Sequence, residues 1–310
     1  MESKKSRTPY FTVCIPAYNR AYILDRCLES LINQTFKDFE VILVDDGSTD
    51  STEDLVQAYQ KQLDLHYIKK ENGGKHTALN VGIQNASETE LFLVLDSDDW
   101  LDKGALQILK DIWDSFTNEE RNIFCGIMGK CRNEEGKNIG NLFPSNPYIT
   151  SYLEFHFGGH NFGDCCECTK TSIIKKYSYP EPEGTKFVPE YYIYDQIGLI
   201  YKLYCINNVI CYREYMKDGI TQNIKEFFRK NSVGYTYGLV CRIEKIFPVQ
   251  KRSIPLKERV IIWYDYWRAC SYDTQKRGAR VHKVDSIGLL GNILYWIKWL
   301  LVRLSIKESL

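Results

Sequence analysis

The chain has 310 residues, enough for one large domain or two smaller ones, and 44% of them are hydrophobic, which is ordinary for a globular protein. Its 40 basic residues balance 40 acidic ones, and the net charge of zero argues against a dedicated nucleic-acid-binding protein. The balance is uneven along the chain, because residues 1–224 carry 23 basic and 33 acidic side chains, whereas residues 225–310 carry 17 and 7.

The first hundred residues alternate short apolar runs with stretches of helical periodicity. Each apolar run predicts a buried strand, and apolar residues spaced three or four positions apart predict the helix that follows it. This alternation indicates a mostly parallel sheet with helices on both faces. The predicted strands are 11–17, 39–46, 65–70 and 91–96, and the predicted helices are 22–34, 52–63, 75–86 and 103–116.

Polar motifs follow all four predicted strands. They are PAYNR, DDGST, ENGGKH and DSDDW, in chain order. Ligands of parallel α/β sheets bind beyond the carboxyl ends of the strands, so the four motifs predict one shared site.

The carboxylates of DSDDW require a cationic partner. Asp96, Asp98 and Asp99 repel one another unless a cation lies between them. A small number of hard oxygen ligands beside substrate phosphates is typical of Mg²⁺ and Mn²⁺. Capping of the helix predicted from Lys103 would explain one carboxylate and would leave Asp96 and Asp98 without a role.

Two other motifs have both a chemical and a structural interpretation. Asp45 and Asp46 suit hydrogen bonds to a nucleobase or ribose, although DDGST also contains a turn signal. The glycines of ENGGKH let the backbone approach a ligand, and Lys75 opens a helix whose N-terminus attracts anions. The structural alternative for the glycines is a loop that needs positive φ.

Residues 117–215 are less regular. The run 123–132 predicts a strand, and 166–177 predicts a strand that turns into a helix. Within 185–204, Pro189 suits the first turn of a helix. The apolar face of this helix would carry Ile193, Ile197, Ile200 and Tyr201.

Eleven cysteines are scattered without paired spacing, and no signal peptide is evident in MESKKSRTPYF. We therefore expect reduced thiols in a cytosolic protein. The alternative is a zinc site formed by Cys165, Cys166 and Cys168 with His156 and His160. Because a second pair of cysteine ligands is missing nearby, local packing in a strand is our expectation.

The segment IPAYNRAYILDRCLESLINQTFKDFEVILVDDGSTDST, followed by ENGGKHTALNVGI and LVLDSDDW, resembles family 2 inverting glycosyltransferases of the GT-A fold. The resemblance covers residues 10–115 in order and with the expected spacing. It implies a GT-A glycosyltransferase domain over residues 8–215, with a nucleotide-sugar-binding half (8–115) and an acceptor half (116–215). A helical C-terminal region would follow over residues 216–310.

The resemblance also implies which residues bind the donor. Tyr18 would lie against the base, Asp46 would contact it, and Lys75 would lie near the diphosphate. Asp96 would face the ribose or the sugar. The donor-binding residues implied are Pro16, Tyr18, Asp46, Lys75 and Asp96.

The metal and the base follow from the same resemblance. Asp98 would coordinate Mn²⁺ or Mg²⁺, with Asp99 as support. The family has a Glu-Asp pair or a single acid as its presumed base at a helix start, and here that pair is Glu190-Tyr191, so the base would be Glu190. Asp195 is the alternative base, and Asp164 could touch the acceptor. A first-turn acid that stabilises the helix dipole is the structural alternative for Glu190.

The chemistry of glycosyl transfer agrees with these residue types. The departing diphosphate gains negative charge, which a divalent cation and a lysine stabilise, and the acceptor hydroxyl must give its proton to a base. We therefore expect transfer from a nucleotide-sugar, with a UDP-sugar favoured, to a glycan or lipid-linked acceptor in cell-surface polysaccharide or lipopolysaccharide biosynthesis.

Two other functions stay open. A sugar-1-phosphate nucleotidyltransferase shares the sheet and the aspartates, but PAYNR lacks a glycine-rich first loop. A non-catalytic nucleotide-sugar-binding module is supported only by Tyr191, which stands where an acid is expected.

The segment 287–304 is mostly apolar and marginal in length for crossing a bilayer. It is either a core helix or an interfacial helix anchored by Tyr295, Trp296 and Trp299. The excess of basic residues favours attraction to anionic lipid, so we expect a cytoplasmic protein, peripheral on the inner face of the plasma membrane. The predicted helices before this segment are 224–247 and 256–273.

Overall fold

The computed structural model describes residues 8–214, 224–250 and 254–277, together with Gly291, Ile293 and Trp296. Most of segment 287–304 lies outside the described residues. Its membrane attachment therefore stays a prediction.

The N-terminal half is the parallel sheet that the alternating pattern predicts. Its elements are β1 (Phe11–Ala17), α1 (Leu24–Ile32), β2 (Phe39–Asp45), α2 (Thr52–Tyr59), β3 (Leu65–Lys69), α3 (Lys75–Asn85) and β4 (Leu91–Val94). The strand order is β3-β2-β1-β4, and all three pairings are parallel. Val13 of β1 is opposite Val41 on one side and Leu93 on the other, so the carboxyl ends of these strands lie at one edge.

The second half extends this sheet with strands of both directions. Its elements are β5 (Trp100–Leu101), α4 (Ala105–Ser115), α5 (Asn118–Ile123), β6 (Phe124–Asn133), β7 (Tyr148–Thr150), α6 (Tyr152–Phe157), β8 (Cys165–Lys170), α7 (Thr171–Ile174), α8 (Tyr191–Ile197) and β9 (Lys202–Arg213). β8 pairs antiparallel with β4 and β6, and β9 pairs parallel with β6 and antiparallel with β5 and β7. The sheet is therefore mixed as a whole.

The prediction of one long helix within residues 185–204 is wrong. α8 has only seven residues and ends before Gly198, and the twelve-residue strand β9 begins at Lys202. A Cβ at Gly198 would lie 3.0 Å from Cβ of Tyr152, so this glycine permits close packing against α6. Ile200, expected on the buried face, is 69% exposed. Pairing with the distant β6 overrides the local helical period here.

The region after residue 223 is helical as predicted, but the helix predicted over 224–247 is divided at Asn231. It consists of α9 (Ile224–Lys230), α10 (Ser232–Cys241), a π-helical turn (Arg242–Ile246), α11 (Phe247–Val249) and α12 (Leu256–Arg277). These helices share a hydrophobic cluster with Leu153 and Phe157 of α6, so they pack directly on the sheet domain.

None of the helices within the described ranges is long and apolar enough to cross a membrane.

The cysteines are free thiols, and ten of the eleven are buried. Cys166 and Cys168 pack on one face of the sheet and Cys165 on the other, because side chains alternate along a strand. These three thiols therefore do not converge on one metal ion, and His156 instead contacts Asp195.

Candidate functional site

The polar motifs meet at the carboxyl edge of the parallel strands. Leu95 N donates to Cys14 O at 2.9 Å, and Asp46 N donates to Ala17 O at 2.8 Å. These two bonds continue the hydrogen bonding between strands by one residue beyond the ends of β4 and β2. Asp96 and Asp46 therefore leave the sheet on either side of β1. The fold places both motifs at the predicted edge.

Lys75 is the centre of the site. Its Nζ lies 2.6 Å from Oδ1 of Asp96 and 2.7 Å from Oε1 of Glu190, so one amine joins the donor-half aspartate to the predicted base. Burial disfavours the charged amine, but the carboxylates of Asp96 and Glu190 raise the pKa of Lys75 above its ordinary value. Burial would also raise the pKa of Asp96, and Lys75, followed by Arg213, lowers it instead. Lys75, Asp96 and Glu190 therefore form a network of two ion pairs.

The pKa values of the other two carboxyls of DSDDW are raised instead. Burial, and then the charge of Asp96, raises the pKa of Asp98. Burial raises the pKa of Asp99 to about 8, although Arg213 opposes the shift from 3.4 Å away. A cation beside this pair would favour both carboxylates, so these residues fit a divalent metal.

Few protein ligands converge at this point. In the described part of the chain, no group of three or more histidine, cysteine or acidic side chains could hold a metal ion. One or two carboxylates with substrate phosphates is a common arrangement for Mg²⁺. The donor set therefore fits a metal that binds together with a diphosphate.

Asp46 holds the glycine-rich loop. Its carboxylate accepts hydrogen bonds from Gly73 N at 2.8 Å, Gly74 N at 2.6 Å and Lys70 Nζ at 2.8 Å. Gly74 has a φ of 100°, and a Cβ there would lie 1.9 Å from Lys186 O. The loop therefore needs glycine for structural reasons, and the contact of Asp46 with a base stays a prediction.

The PAYNR turn presents an aromatic ring at the end of β1. Tyr18 is 46% exposed, whereas Pro16 is buried in the strand beside Val44. Asn19 has a φ of 52°, and its Oδ1 accepts from Thr49 N at 2.8 Å. This contact joins PAYNR to DDGST, and the exposed ring of Tyr18 is accessible to a planar ligand.

The candidate bases differ in access. Glu190 precedes α8 with a side chain that is 44% exposed. Asp195 is fully buried and lies 2.6 Å from both His156 Nδ1 and Arg242 Nε. Asp164 lies exposed in the loop before β8. Of these acids, the structure brings Glu190 to Lys75 and Asp96, and it encloses Asp195 away from them.

Sequence reasoning missed Glu167 and Arg213. Burial raises the pKa of Glu167 in β8 to about 7, Arg213 opposes this rise, and the charges of Glu190 and Asp164 add to it. The lone acid in the apolar run CCECT was a signal for Glu167. Arg213 had none, because the sequence pattern predicts no element at residues 205–213, where most of β9 lies.

Comparison with known proteins covers the region that carries this site. Residues 12–177 match the family model described as "Glycosyl transferase family 2". An uncharacterised glycosyltransferase of Rickettsia felis is 37% identical over 143 residues, which are 43% of this chain and 23% of that protein. The minor teichoic acid biosynthesis protein GgaB of Bacillus subtilis is 31% identical over 178 residues, 56% of this chain and 19% of that protein. The matches thus cover less than a quarter of each relative's length.

Solved structures share the fold at low sequence identity. TarS of S. aureus has a TM-score of 0.58 at 20% identity, covering 93% of this chain and 52% of that one. TarS 1–349 in complex with UDP-GlcNAc has a TM-score of 0.58 at 19% identity, with coverages of 84% and 81%. A mannosyltransferase from Pyrobaculum calidifontis, in complex with GDP-Man and Mn²⁺, has a TM-score of 0.52 at 17% identity, with coverages of 96% and 81%. These likenesses concern the fold alone.

Proposed function

Because the chain belongs to glycosyl transferase family 2 and has the GT-A fold, we propose that it transfers a sugar with inversion from a nucleotide-sugar to an acceptor hydroxyl. The acceptor is a glycan or a lipid-linked glycan in cell-surface polysaccharide or lipopolysaccharide biosynthesis. The similarity of residues in this chain to a teichoic acid biosynthesis protein supports the assignment to surface polymers.

The bridge made by Lys75 carries this proposal. It connects Asp96, at the strand end where a donor binds, with Glu190, at the helix start where a base is expected. The donor half and the acceptor half therefore meet at one amine. A lysine at this point stabilises negative charge on a departing diphosphate.

Glu190 acts as the general base in this mechanism. Its exposed carboxylate takes the proton from the acceptor hydroxyl as that oxygen attacks the anomeric carbon. A donor diphosphate that pairs with Lys75 competes for the amine that now holds Glu190 at 2.7 Å. Donor binding thereby frees the base for the acceptor.

Asp98 would coordinate a Mn²⁺ or Mg²⁺ ion, with Asp99 as support, and Asp96 would face the ribose or the sugar. Burial and then the charge of Asp96 raise the pKa of Asp98, and a cation beside this carboxyl would favour its charged form. The ion supplies positive charge to the diphosphate leaving group.

A UDP-sugar is the donor that we favour. UDP-GlcNAc and UDP are present in TarS structures that share this fold, and a GDP-sugar is present in the mannosyltransferase. Tyr18 stacks on the base, and Lys75 contacts the diphosphate. The protein works at the inner face of the plasma membrane, where lipid-linked acceptors are available.

Calorimetric titration with UDP and Mn²⁺ tests the donor site. Asp98→Ala removes the carboxylate that ties the metal to the protein, so Mn²⁺-dependent UDP binding should be lost. Asp54→Ala makes the same change on the exposed surface of α2 and should bind like the wild type. Equal Mn²⁺ dependence in the Asp98→Ala variant would refute the assignment.

A donor screen tests the reaction itself. UDP-, GDP- and dTDP-sugars are supplied with Mn²⁺, and release of the nucleoside diphosphate is measured. Release of pyrophosphate from a nucleoside triphosphate and a sugar-1-phosphate would indicate a nucleotidyltransferase instead. Binding of a donor with no release of product would indicate a non-catalytic module.

A further inference from the structure

The helical C-terminal region meets the helix of the proposed base at a buried ion pair. Arg242 Nε donates to Oδ2 of Asp195 at 2.6 Å, and His156 Nδ1 lies 2.6 Å from the other oxygen. Asp195 is fully buried in α8. Burial alone would raise the pKa of its carboxyl, but Arg242 and His156 hold that pKa below its ordinary value. The pair therefore stays charged and fixes α8 against two other helices.

Arg242 also contacts the residue that follows the base. Its guanidinium carbon lies 3.5 Å from the ring centre of Tyr191 and 4.9 Å from that of Phe157. On its other side Tyr191 packs against α10, because a Cβ at Gly238 would lie 2.6 Å from the ring. The Tyr191 ring is thus held between a cation and a helix backbone.

α8 depends on these contacts for its orientation. It has seven residues, and a helix of that length has little stability of its own. Glu190 immediately precedes it and faces Lys75, whereas Tyr191 and Asp195 face Arg242. The direction of the Glu190 carboxylate therefore depends on Lys75 from the sheet and on Arg242 from the helical region.

We propose that Arg242 is a positioning residue for Glu190, acting through Asp195 and the ring of Tyr191. This inference rests on the proposed function, in which Glu190 is the base. It gives the helical region a part in catalysis that is separate from membrane attachment. It also gives Tyr191, which stands where the family has a second acid, a defined task as the surface on which Arg242 stacks.

The test is UDP release from UDP-GlcNAc with Mn²⁺ and with water as the acceptor. Arg242→Met should lower kcat by about 10- to 100-fold, since small displacements of a catalytic group cost that much, with KM within about twofold of the wild type. Arg242→Lys should recover part of kcat, because an ammonium pairs with Asp195 but lacks the planar guanidinium group that stacks on the Tyr191 ring. Arg229→Met, the same change at an exposed position of α9, should match the wild type.

A double-mutant cycle shows whether Arg242 acts through the base. Glu190→Gln alone should lower kcat by at least ~10²-fold. If Arg242 acts only by placing Glu190, adding Arg242→Met to Glu190→Gln should cause no further loss. If the double variant shows the product of the two single losses in kcat, the proposal is overturned. A wild-type kcat in Arg242→Met, or a rise in its KM alone, would also overturn it.

A second pair of variants keeps the test decisive if Arg242→Met does not fold. Tyr191→Leu removes the stacked ring and leaves the Arg242–Asp195 pair intact, so kcat should fall, whereas Tyr191→Phe should keep it. Unchanged kcat in Tyr191→Leu would overturn the proposed path through the ring. The proposed function itself is refuted if the wild type releases no nucleoside diphosphate from UDP-GlcNAc, other UDP-sugars, GDP-sugars or dTDP-sugars. If the wild type is active and Arg242→Met has the same kcat, only the positioning role of Arg242 is refuted.

Discussion

Individual carboxyls in this protein differ in the charge that surrounds them. Glu190 is paired with Lys75, Asp195 with Arg242, and Asp46 with backbone amides and Lys70. Glu167 is the contrasting case, because Glu190 and Asp164 face it as well as Arg213. Carboxyl groups thus provide the proposed base Glu190, the structural anchor Asp195, and Glu167, whose pKa is raised to about 7.

Glu167 should make stability depend on pH. Its pKa is about 7 in the fold and 4.5 ordinarily, so the folded state binds this proton more tightly than the unfolded state. The resulting stability is complete below about pH 4.5 and is lost as the pH rises through about 7. Glu167→Gln, which is neutral at every pH, should therefore be more stable than the wild type at pH 8, by about 1–3 kcal/mol.

Thermal unfolding at pH 8 and at pH 4.5 checks this expectation. The difference between Glu167→Gln and the wild type should shrink towards zero at the lower pH. Glu119→Gln, at an exposed position of α5, serves as the control and should show no such difference. A constant difference at both pH values would mean that Glu167 titrates like an ordinary glutamate.

At the scale of elements, a stacked cluster connects the DSDDW loop to the end of β9. The Arg26 guanidinium carbon lies 3.7 Å from the centre of the Trp100 ring, and Trp100 stacks on Tyr212 with ring centres 5.5 Å apart. Arg26 also donates to Asp98 O at 2.9 Å and pairs with Glu214 at 2.7 Å. The backbone of the proposed metal ligand is therefore held by side chains from α1, β5 and β9.

Removal of this cluster should weaken the donor site without unfolding the sheet. Arg26→Met loses the bond to Asp98 O, so the affinity for UDP with Mn²⁺ should fall by about tenfold, or ~1.4 kcal/mol. Calorimetry makes the measurement, and Arg132→Met at the end of β6 is the matched control. An unchanged affinity would mean that the loop holds its shape without Arg26.

At the scale of the whole molecule, the donor site and the proposed membrane anchor lie in different parts of the chain. The proposed donor and metal residues fall between Pro16 and Asp98, whereas segment 287–304 follows α12 in the chain. Ile293 and Trp296, the large apolar residues described in that segment, are 47% and 58% exposed. The excess of basic side chains after residue 224 is the basis for the prediction of an interfacial helix in this segment.

Deletion of residues 287–310 should release the protein from anionic vesicles and keep UDP binding. Sedimentation with vesicles that contain phosphatidylserine measures attachment, vesicles of phosphatidylcholine alone are the control, and calorimetry measures UDP binding. If the shortened protein still sediments with the anionic vesicles, its anchor lies elsewhere. If it aggregates or loses UDP, the segment is a core helix.

Local patterns in the sequence were sufficient for the parallel half of the fold. Apolar runs predict β1 to β4, and helical periodicity predicts the helices between them, because each of these elements buries its own apolar residues. The same alternation placed Asp46, Lys75 and Asp96 at one edge, since parallel strands end on the same side.

Tertiary structure alone decided the rest, because the decisive contacts join residues far apart in the chain. β9 exists through pairing with β6, so its own residues carried only an ambiguous pattern. The bridge from Lys75 to Glu190 spans the two halves, and the buried Asp195 pairs with Arg242 from the helical region. Periodicity reports which face of an element is apolar, whereas the charge around a side chain depends on which distant groups the fold brings beside it.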